Sequence, residues 1–422
     1  MKKNYLLAVL SGLLLWLAWP PMPYTSFLLF FGLVPMLVAM EDIIQSDMSR
    51  KGNKIFKTAF LGFVIWNTGS IYWVYNALKM VGEVVAIPIS LIPFTLGPLL
   101  MAIACWAYGR MRLYTNRGVG LVLLVFLWMG YEYLHQTWDL KFPWMTLGNG
   151  FAVNHQWVQW YAYTGVYGGT LWIWASNIFI FLIYVGLREG LAASVRLRYI
   201  AIWVAVIMLP LSFSLYTYYN YAEVKDPANI VVVQPNVDPY AKVVSIPTTE
   251  QVSSLIRLSD SVGQKNTEFF IWPETAIYDE LPVNEDKVRH NAYFLQAQHF
   301  LDKYKNGNVL TGVESIKIYN SDLTDSDSPI PGSNQYYDVF NAAMNIENSG
   351  TVQFYHKSKL VPGAESMPFT AVTGFLKPVF AHLGGATGSY GSQKEPSVFY
   401  SQSGIGVAPV ICYESIWGGY VA

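Results

Sequence analysis

The sequence predicts a two-part chain, an α-helical polytopic membrane domain followed by a water-facing α/β domain. Three observations carry that reading. Of 422 residues, 53% are hydrophobic, 16% aromatic and only 13% charged, with a mean hydropathy of +0.29, too apolar for a soluble globular protein. The charge is divided: residues 1–220 hold 14 Lys/Arg against 7 Asp/Glu, a net of +7, and residues 221–422 hold 13 against 21, a net of −8. Near Ala228, apolar runs of spanning length give way to short β-rich runs separated by polar, helix-like stretches. The expected boundary is therefore 1–220 and 221–422.

Seven apolar segments are read as spans: 5–20, 25–41, 57–78, 84–108, 118–137, 164–187 and 198–217. The first follows Met1-Lys2-Lys3 like a signal peptide. Trp19-Pro20-Pro21 stands where a small-residue cleavage site would be, so it is read as a retained anchor. Lys2, Lys3, Arg50, Lys51, Lys54, Lys57, Arg110, Arg112, Arg117, Arg188, Arg196 and Arg198 all fall before the first span or in alternate loops. They are 12 of the 14 basic residues of this half, and only Lys79 and Lys141 fall on the other side. The positive-inside rule places the N-terminus in the cytoplasm, and seven crossings put the acidic half outside, which in a Gram-negative cell is the periplasm. The expected location is the bacterial inner membrane, multi-pass.

Tyr, Trp and Pro crowd the outer loops, as in Lys141-Phe-Pro-Trp144 and Trp157-Val-Gln-Trp160-Tyr161, the pattern of an interfacial aromatic belt. Glu132 and His135 are ionisable groups near the outer end of the fifth span, expected to be close enough to the interface for hydration. Gly165, Gly168 and Gly169 are expected to permit close helix packing. Of the two cysteines, Cys105 lies in an apolar span, so no disulfide is expected, and no CxxC or HExxH spacing suggests a metal. No Lys/Arg-rich stripe of the kind nucleic-acid binding needs is present.

In the outer half, Ile230–Val233, Phe269–Trp272, Asn308–Gly312, Val339–Ile346 and Val352–Tyr355 read as strands, the last two forming a hairpin across Asn348-Ser-Gly350. Residues 248–265 and 284–305 carry helical patterns. Strands alternating with helices indicate an α/β layered domain. Residues 322–335 read as a surface loop, and 362–396 as a long apolar insertion acting as a mobile lid. Ile405 to Ile411 reads as a buried strand delivering Cys412, Tyr413 and Glu414 at its carboxyl end.

Three strands thus end in a reactive side chain: Trp272-Pro-Glu274, Tyr355-His-Lys357 and Ile411-Cys412. Taken singly, Glu274 reads as a helix cap, Lys357 as a solvated lysine and Cys412 as a small core residue. Together, with their surroundings, they resemble the glutamate–lysine–cysteine triad of the nitrilase superfamily. More closely, the chain resembles the apolipoprotein N-acyltransferases, in which a nitrilase-like domain sits on a multi-span base. Trp272-Pro-Glu274-Thr-Ala276 is similar to that family's W-P-E-[ST]-A segment. Lys357-Ser-Lys-Leu-Val-Pro362 followed by Glu365 is similar to its K-x-x-L-V-P with a glutamate eight residues after the lysine. Pro409-Val-Ile-Cys412-Tyr-Glu414 resembles its cysteine-tyrosine-glutamate segment, Leu310-Thr-Gly-Val313 one of its strands, and Asn341 stands where it has an asparagine.

The resemblance implies an αββα nitrilase-like sandwich with Glu274, Lys357 and Cys412 catalytic and Glu365, Asn341, Tyr413 and Glu414 shaping the substrate pocket. It implies a phospholipid acyl donor, a diacylglyceryl lipoprotein acceptor, a cysteine thioester between them, no metal or organic cofactor, and no need for more than a monomer. The rival expectations are a membrane-tethered nitrilase-type amidohydrolase using the same triad with water as acceptor, and a polytopic binding or transport protein in which Cys412 is dispensable. The chain departs from the family pattern at Pro362-Gly-Ala-Glu365, where the family has Pro-Phe-Gly-Glu. Lys359 lies two residues from Lys357, so the spacing to Glu365 chooses between them. The chain also ends ten residues after Cys412, where the family continues with further strands and an eighth span, so either a fragment or an incomplete sheet is expected.

Overall fold

A computed structural model describes residues 1–79, 83–238, 246–279, 281–322, 326, 328–369 and 389–422. Two compact units form, Met1–Glu223 and Val224–Val421.

The first unit is helical: α1 (Lys2–Ala18), α2 (Val34–Gln45), α3 (Lys51–Ile71), α4 (Trp73–Leu78), α5 (Glu83–Arg112), α6 (Arg117–Thr137), α7 (Tyr161–Arg188) and α8 (Ala193–Asn220). Among the described residues, five segments are long and apolar enough to cross a membrane: Ser26–Gln45, Ala86–Arg112, Arg117–Thr137, Tyr161–Arg188 and Ala193–Asn220. The other two expected spans exist as helices but differ in kind. α1 has 17 residues, about 26 Å at 1.5 Å per residue, and α3 opens with Lys51, Lys54 and Lys57.

Polar side chains inside this unit serve irregular backbone that hydrocarbon would leave unsatisfied. The turn Ser26–Phe30 is held from α7: Ser176 Oγ donates to the Phe30 carbonyl at 2.7 Å and Asn177 Nδ2 to that of Leu29 at 2.8 Å, while Asn177 Oδ1 accepts from the Leu33 N–H. Pro210 inside α8 lacks an N–H; the carbonyl four residues back, Val206, instead accepts from Trp172 Nε1 at 2.6 Å. α1 and α3 cross closely at Gly12, where a Cβ would lie 2.3 Å from the Gly62 carbonyl oxygen. The expected hydration of Glu132 and His135 is corrected: they are 1% and 4% exposed. Glu132 accepts from Trp128 Nε1, the Leu147 N–H and Thr170 Oγ1, so it ties α6 to α7 and to the loop between them. Gly165 kinks α7 with φ +62°, and the added Cβ at Gly168 or Gly169 would strike Thr164 or Tyr161.

The second unit is a mixed sheet with strands β1 (Asn229–Val232), β2 (Thr267–Ile271), β3 (Val283–Asn284), β4 (Asn308–Tyr319), β5 (Ser328–Pro329), β6 (Tyr336–Glu347) and β7 (Val352–His356). Its order is β1-β2-β4-β6-β5, with β3 also on β4 and β7 on β6. β1, β2 and β4 run parallel; β4, β6 and β7 are antiparallel. The β6–β7 hairpin is the expected one, its turn closed by Gly350 at φ +83°.

Helices α9 (Thr248–Val262) and α10 (Ala292–Leu301) cover one face. There Val309, Val313, Phe340, Ala342, Met344 and Ile346 pack with Leu255, Phe294 and Leu301. The helical pattern over 284–305 divides in two, a tight turn Glu285–His290 and then α10, because Asn291 caps a new start by accepting from the Tyr293 and Phe294 N–H groups.

The opposite face carries Phe269, Leu310, Ala343 and Tyr355, against Phe399 and Ile411. Here the strand expectation is corrected. Ile405–Ile411 forms only β9 (Gly406–Val407), paired with β8 (Phe399–Tyr400) in a separate two-stranded sheet. Pro409 has no N–H to donate to a ladder, so the approach to Cys412 crosses the face of the main sheet instead of joining it. Most of the expected lid, 370–388, lies outside the described residues.

Candidate active site

The sheet supplies two of the expected triad directly. β2 ends at Ile271, and the chain passes through Trp272-Pro273 to Glu274. This loop lies against β4, since the Gly312 N–H donates to the Pro273 carbonyl and the Ile277 N–H to the Gly312 carbonyl, both at 3.1 Å. Only glycine allows that approach: a Cβ at 312 would lie 2.4 Å from the Thr275 nitrogen and 2.6 Å from the Glu274 Cα. Lys357 follows β7, its N–H donating to the Asn341 carbonyl at 2.9 Å. Alternation then sends Asn341, Ala343, Tyr355 and Lys357 to the face away from the helices.

On that face Lys357 is 1% exposed. Its Nζ lies 2.8 Å from Glu365 Oε1 and 3.5 Å from Glu274 Oε1. Asn341 Nδ2 donates to both carboxylates, at 2.7 Å to Glu274 and 2.9 Å to Glu365. Glu365 is fixed in turn by the Val361 N–H on its Oε2 at 2.8 Å. Burial pulls the Lys357 ammonium down, but the Glu365 and Glu274 carboxylates outweigh it and hold the group above its ordinary value. It is a cation at neutral pH. Lys359, by contrast, has its Nζ over the Tyr420 ring, 5.2 Å from its centroid.

Cys412 starts a tight turn, Cys412–Ile416, and has φ +48°, a left-handed conformation that residues other than Gly, Asn and Asp rarely adopt. Thr275, next to Glu274, has φ +47°. The Cys412 residue is exposed, and Tyr413 and Glu414 behind it are buried. Burial of its sulfur pushes the thiol up, the Glu274 charge adds to that, and the Lys357 charge pulls it back. The net is upward, so at neutral pH the sulfur carries its proton and a base must remove it.

Glu414 is fully buried and builds the floor. Its Oε2 accepts from the Ile411 N–H at 2.7 Å, and its Oε1 from the Ser358 N–H at 2.6 Å and Tyr355 Oη at 2.5 Å. One carboxylate thereby ties the cysteine turn to the loop that bears Lys357. Tyr413 packs edge-on against Trp417, ring centroids 4.9 Å apart.

Two contributors had no signal in the sequence. Tyr390, in the described end of the long insertion, donates its N–H to the Glu365 carbonyl and its hydroxyl to Glu314 Oε1 at 2.7 Å. Tyr355, read only as a strand residue, is the Glu414 donor. Among the described residues no group of three His, Cys, Asp or Glu side chains is arranged to hold a metal ion.

A family model described as the apolipoprotein N-acyltransferase N-terminal domain matches residues 11–179. Relatives named apolipoprotein N-acyltransferase extend the likeness over the remainder. That from Chlorobaculum tepidum is 27% identical, covering 100% of this chain and 76% of its own length. That from Allorhizobium ampelinum is 25% identical over 98% and 74%, and that from Rickettsia prowazekii 23% over 100% and 77%. The chain spans about three quarters of the length of these three relatives.

Proposed function

This chain belongs to the apolipoprotein N-acyltransferase family, a family of acyltransferase enzymes, and from that premise we propose that Cys412 takes an acyl chain from a phospholipid as a thioester and passes it to the α-amino group of a lipoprotein's diacylglyceryl-cysteine. What supports this reading most is the convergence of Lys357, Glu274, Glu365 and Asn341 within hydrogen-bonding or ion-pair distance, with the charges of Glu274, Lys357 and Glu365 acting on an exposed thiol.

Glu274 removes the Sγ proton, and the thiolate attacks the ester carbonyl. Lys357 stabilises the tetrahedral oxyanion, a contribution on the order of 3 kcal/mol for one donor in comparable sites. As the carbon–oxygen bond breaks, Glu274 returns the proton to the leaving lysophospholipid oxygen. The acceptor amine then attacks the thioester, Glu274 takes a proton from it, and the amide forms as the thiolate departs and is reprotonated. Glu365 holds the Lys357 charge in place, and Asn341 bridges the two carboxylates by donating to both. The five apolar helices fit a bacterial membrane protein, where both lipid substrates reside. The outer unit is assigned to the periplasmic side by the basic residues in alternate loops.

Purified enzyme given acyl-labelled phospholipid and a diacylglyceryl lipopeptide should release label as N-acylated lipopeptide with ping-pong kinetics. Label appearing only as free fatty acid, with the lipopeptide amine untouched, would replace this reading with the hydrolase.

A further inference from the structure

We propose that the basic end of the helical unit holds a second lipid, an anionic phospholipid seated in the groove between α3 and α5, its headgroup on Lys57 and Arg110. The groove has a volume of about 410 Å³ and is lined by Asn53, Phe56 and Lys57 of α3 and by Ile103 and Trp106 of α5, within the usual range of small-molecule sites. Its walls continue toward the middle of the bundle as an apolar track. Phe60 stacks parallel on Phe56 with centroids 6.0 Å apart, and Leu99, Ile103 and Trp106 form an exposed stripe on the facing helix. Such a surface suits an acyl chain.

The headgroup end is set by charge. Three acidic side chains at this end are engaged elsewhere: Asp42 pairs with Lys3 and Arg188, and Glu41 and Glu189 pair with Arg117 at 2.8 and 2.6 Å, Arg112 lying 3.6 Å from Glu41. Among the described residues, Lys57 and Arg110 belong to none of the ion pairs. Lys57 lies six residues beyond Lys51, about 9 Å along the helix axis, which brings a cation alongside apolar walls. Arg110 is laid over the first turn of α3 by Gly52: a Cβ there would meet the Arg110 side chain and Trp106 Nε1, each at 3.1 Å. Lys57, the Asn53 amide and the Trp106 indole thus line an apolar groove, and the Arg110 side chain lies against Gly52 beside the same indole. A phosphodiester with an acyl tail matches that combination; a zwitterionic headgroup matches it less well, because its own ammonium offsets the phosphate.

This site is separate from the Cys412 chemistry, and its test does not read acyl transfer. The full chain is reconstituted in nanodiscs of phosphatidylcholine with a minor fraction of phosphatidylglycerol, extracted, and the lipids it retains are counted by native mass spectrometry. Phosphatidylglycerol should be enriched over its share of the disc, and K57Q and R110Q should each reduce that enrichment about fivefold, while K2Q leaves it unchanged. The headgroup preference is read on the unaltered chain and depends on no variant folding. Retention of the two lipids in proportion to their supply, or an enrichment that survives K57Q/R110Q, overturns the proposal.

Discussion

Asn341 and Glu365 set the chemistry of the site at the scale of single atoms. A lysine this buried is costly unless paired, and removing one partner of a buried pair costs about 3–5 kcal/mol. Glu365→Gln removes the shorter of the two ion pairs of Lys357 and leaves only the longer one to Glu274, so it should lower the thermal unfolding midpoint of the purified protein, whereas Lys359→Gln, its side chain over Tyr420, should barely move it. Because the folded Lys357 value is raised, its contribution to folding is full below the ordinary lysine range and is lost only as pH rises through the higher folded value. The Glu365→Gln effect should therefore be undiminished at neutral pH. For Cys412 the direction gives a kinetic prediction. Alkylation by iodoacetamide follows the thiolate fraction, and its pH midpoint should lie above the ~8.5 of a free cysteine. Glu274→Gln should shift that midpoint down, and a midpoint at or below the free value would mean the thiol needs no base.

Among elements, the informative ones are those whose sequence pattern and structure part ways. The lysine-to-glutamate spacing over 357–365 was legible because both groups sit on one loop after β7, and the β6–β7 hairpin because Asn348-Ser-Gly350 is local turn chemistry. The cysteine segment departs from the sheet strand that its apolar run matches, because Pro409 has no N–H to give a ladder. Beyond its local bond to the Ile411 N–H, the work of Glu414 had no signature in the sequence, for its other backbone bonds reach 55 and 56 residues away. Gly312 is similar: it reads as an ordinary strand glycine until the Glu274 loop is seen lying on it. Gly312→Ala should leave β4 paired but push Glu274 away from Lys357. A displacement of about 1 Å costs about 100-fold in rate, measured as thioester formation with folding checked by circular dichroism.

For the whole molecule, composition and charge division carried the two-part reading, because burial in lipid and burial in a water-soluble core demand different patterns. The unit boundary falls at Glu223/Val224. What composition did not reveal is the polar interior of the helical unit, where Glu132, Ser176 and Asn177 satisfy irregular backbone. The orientation is tested by accessibility. With Cys105 and Cys412 replaced, Asp226→Cys should react with a membrane-impermeant maleimide in outer-membrane-permeabilised cells, and Lys54→Cys only after lysis; the reverse would invert the topology.

The proposal that one thiol carries the acyl group is tested most directly by intact-mass measurement of the protein after incubation with phospholipid alone. A single acyl adduct should appear, be released by hydroxylamine, and be absent from Cys412→Ser while that variant stays folded. An adduct that persists in Cys412→Ser, or no adduct on a protein that still acylates lipopeptide, would contradict it.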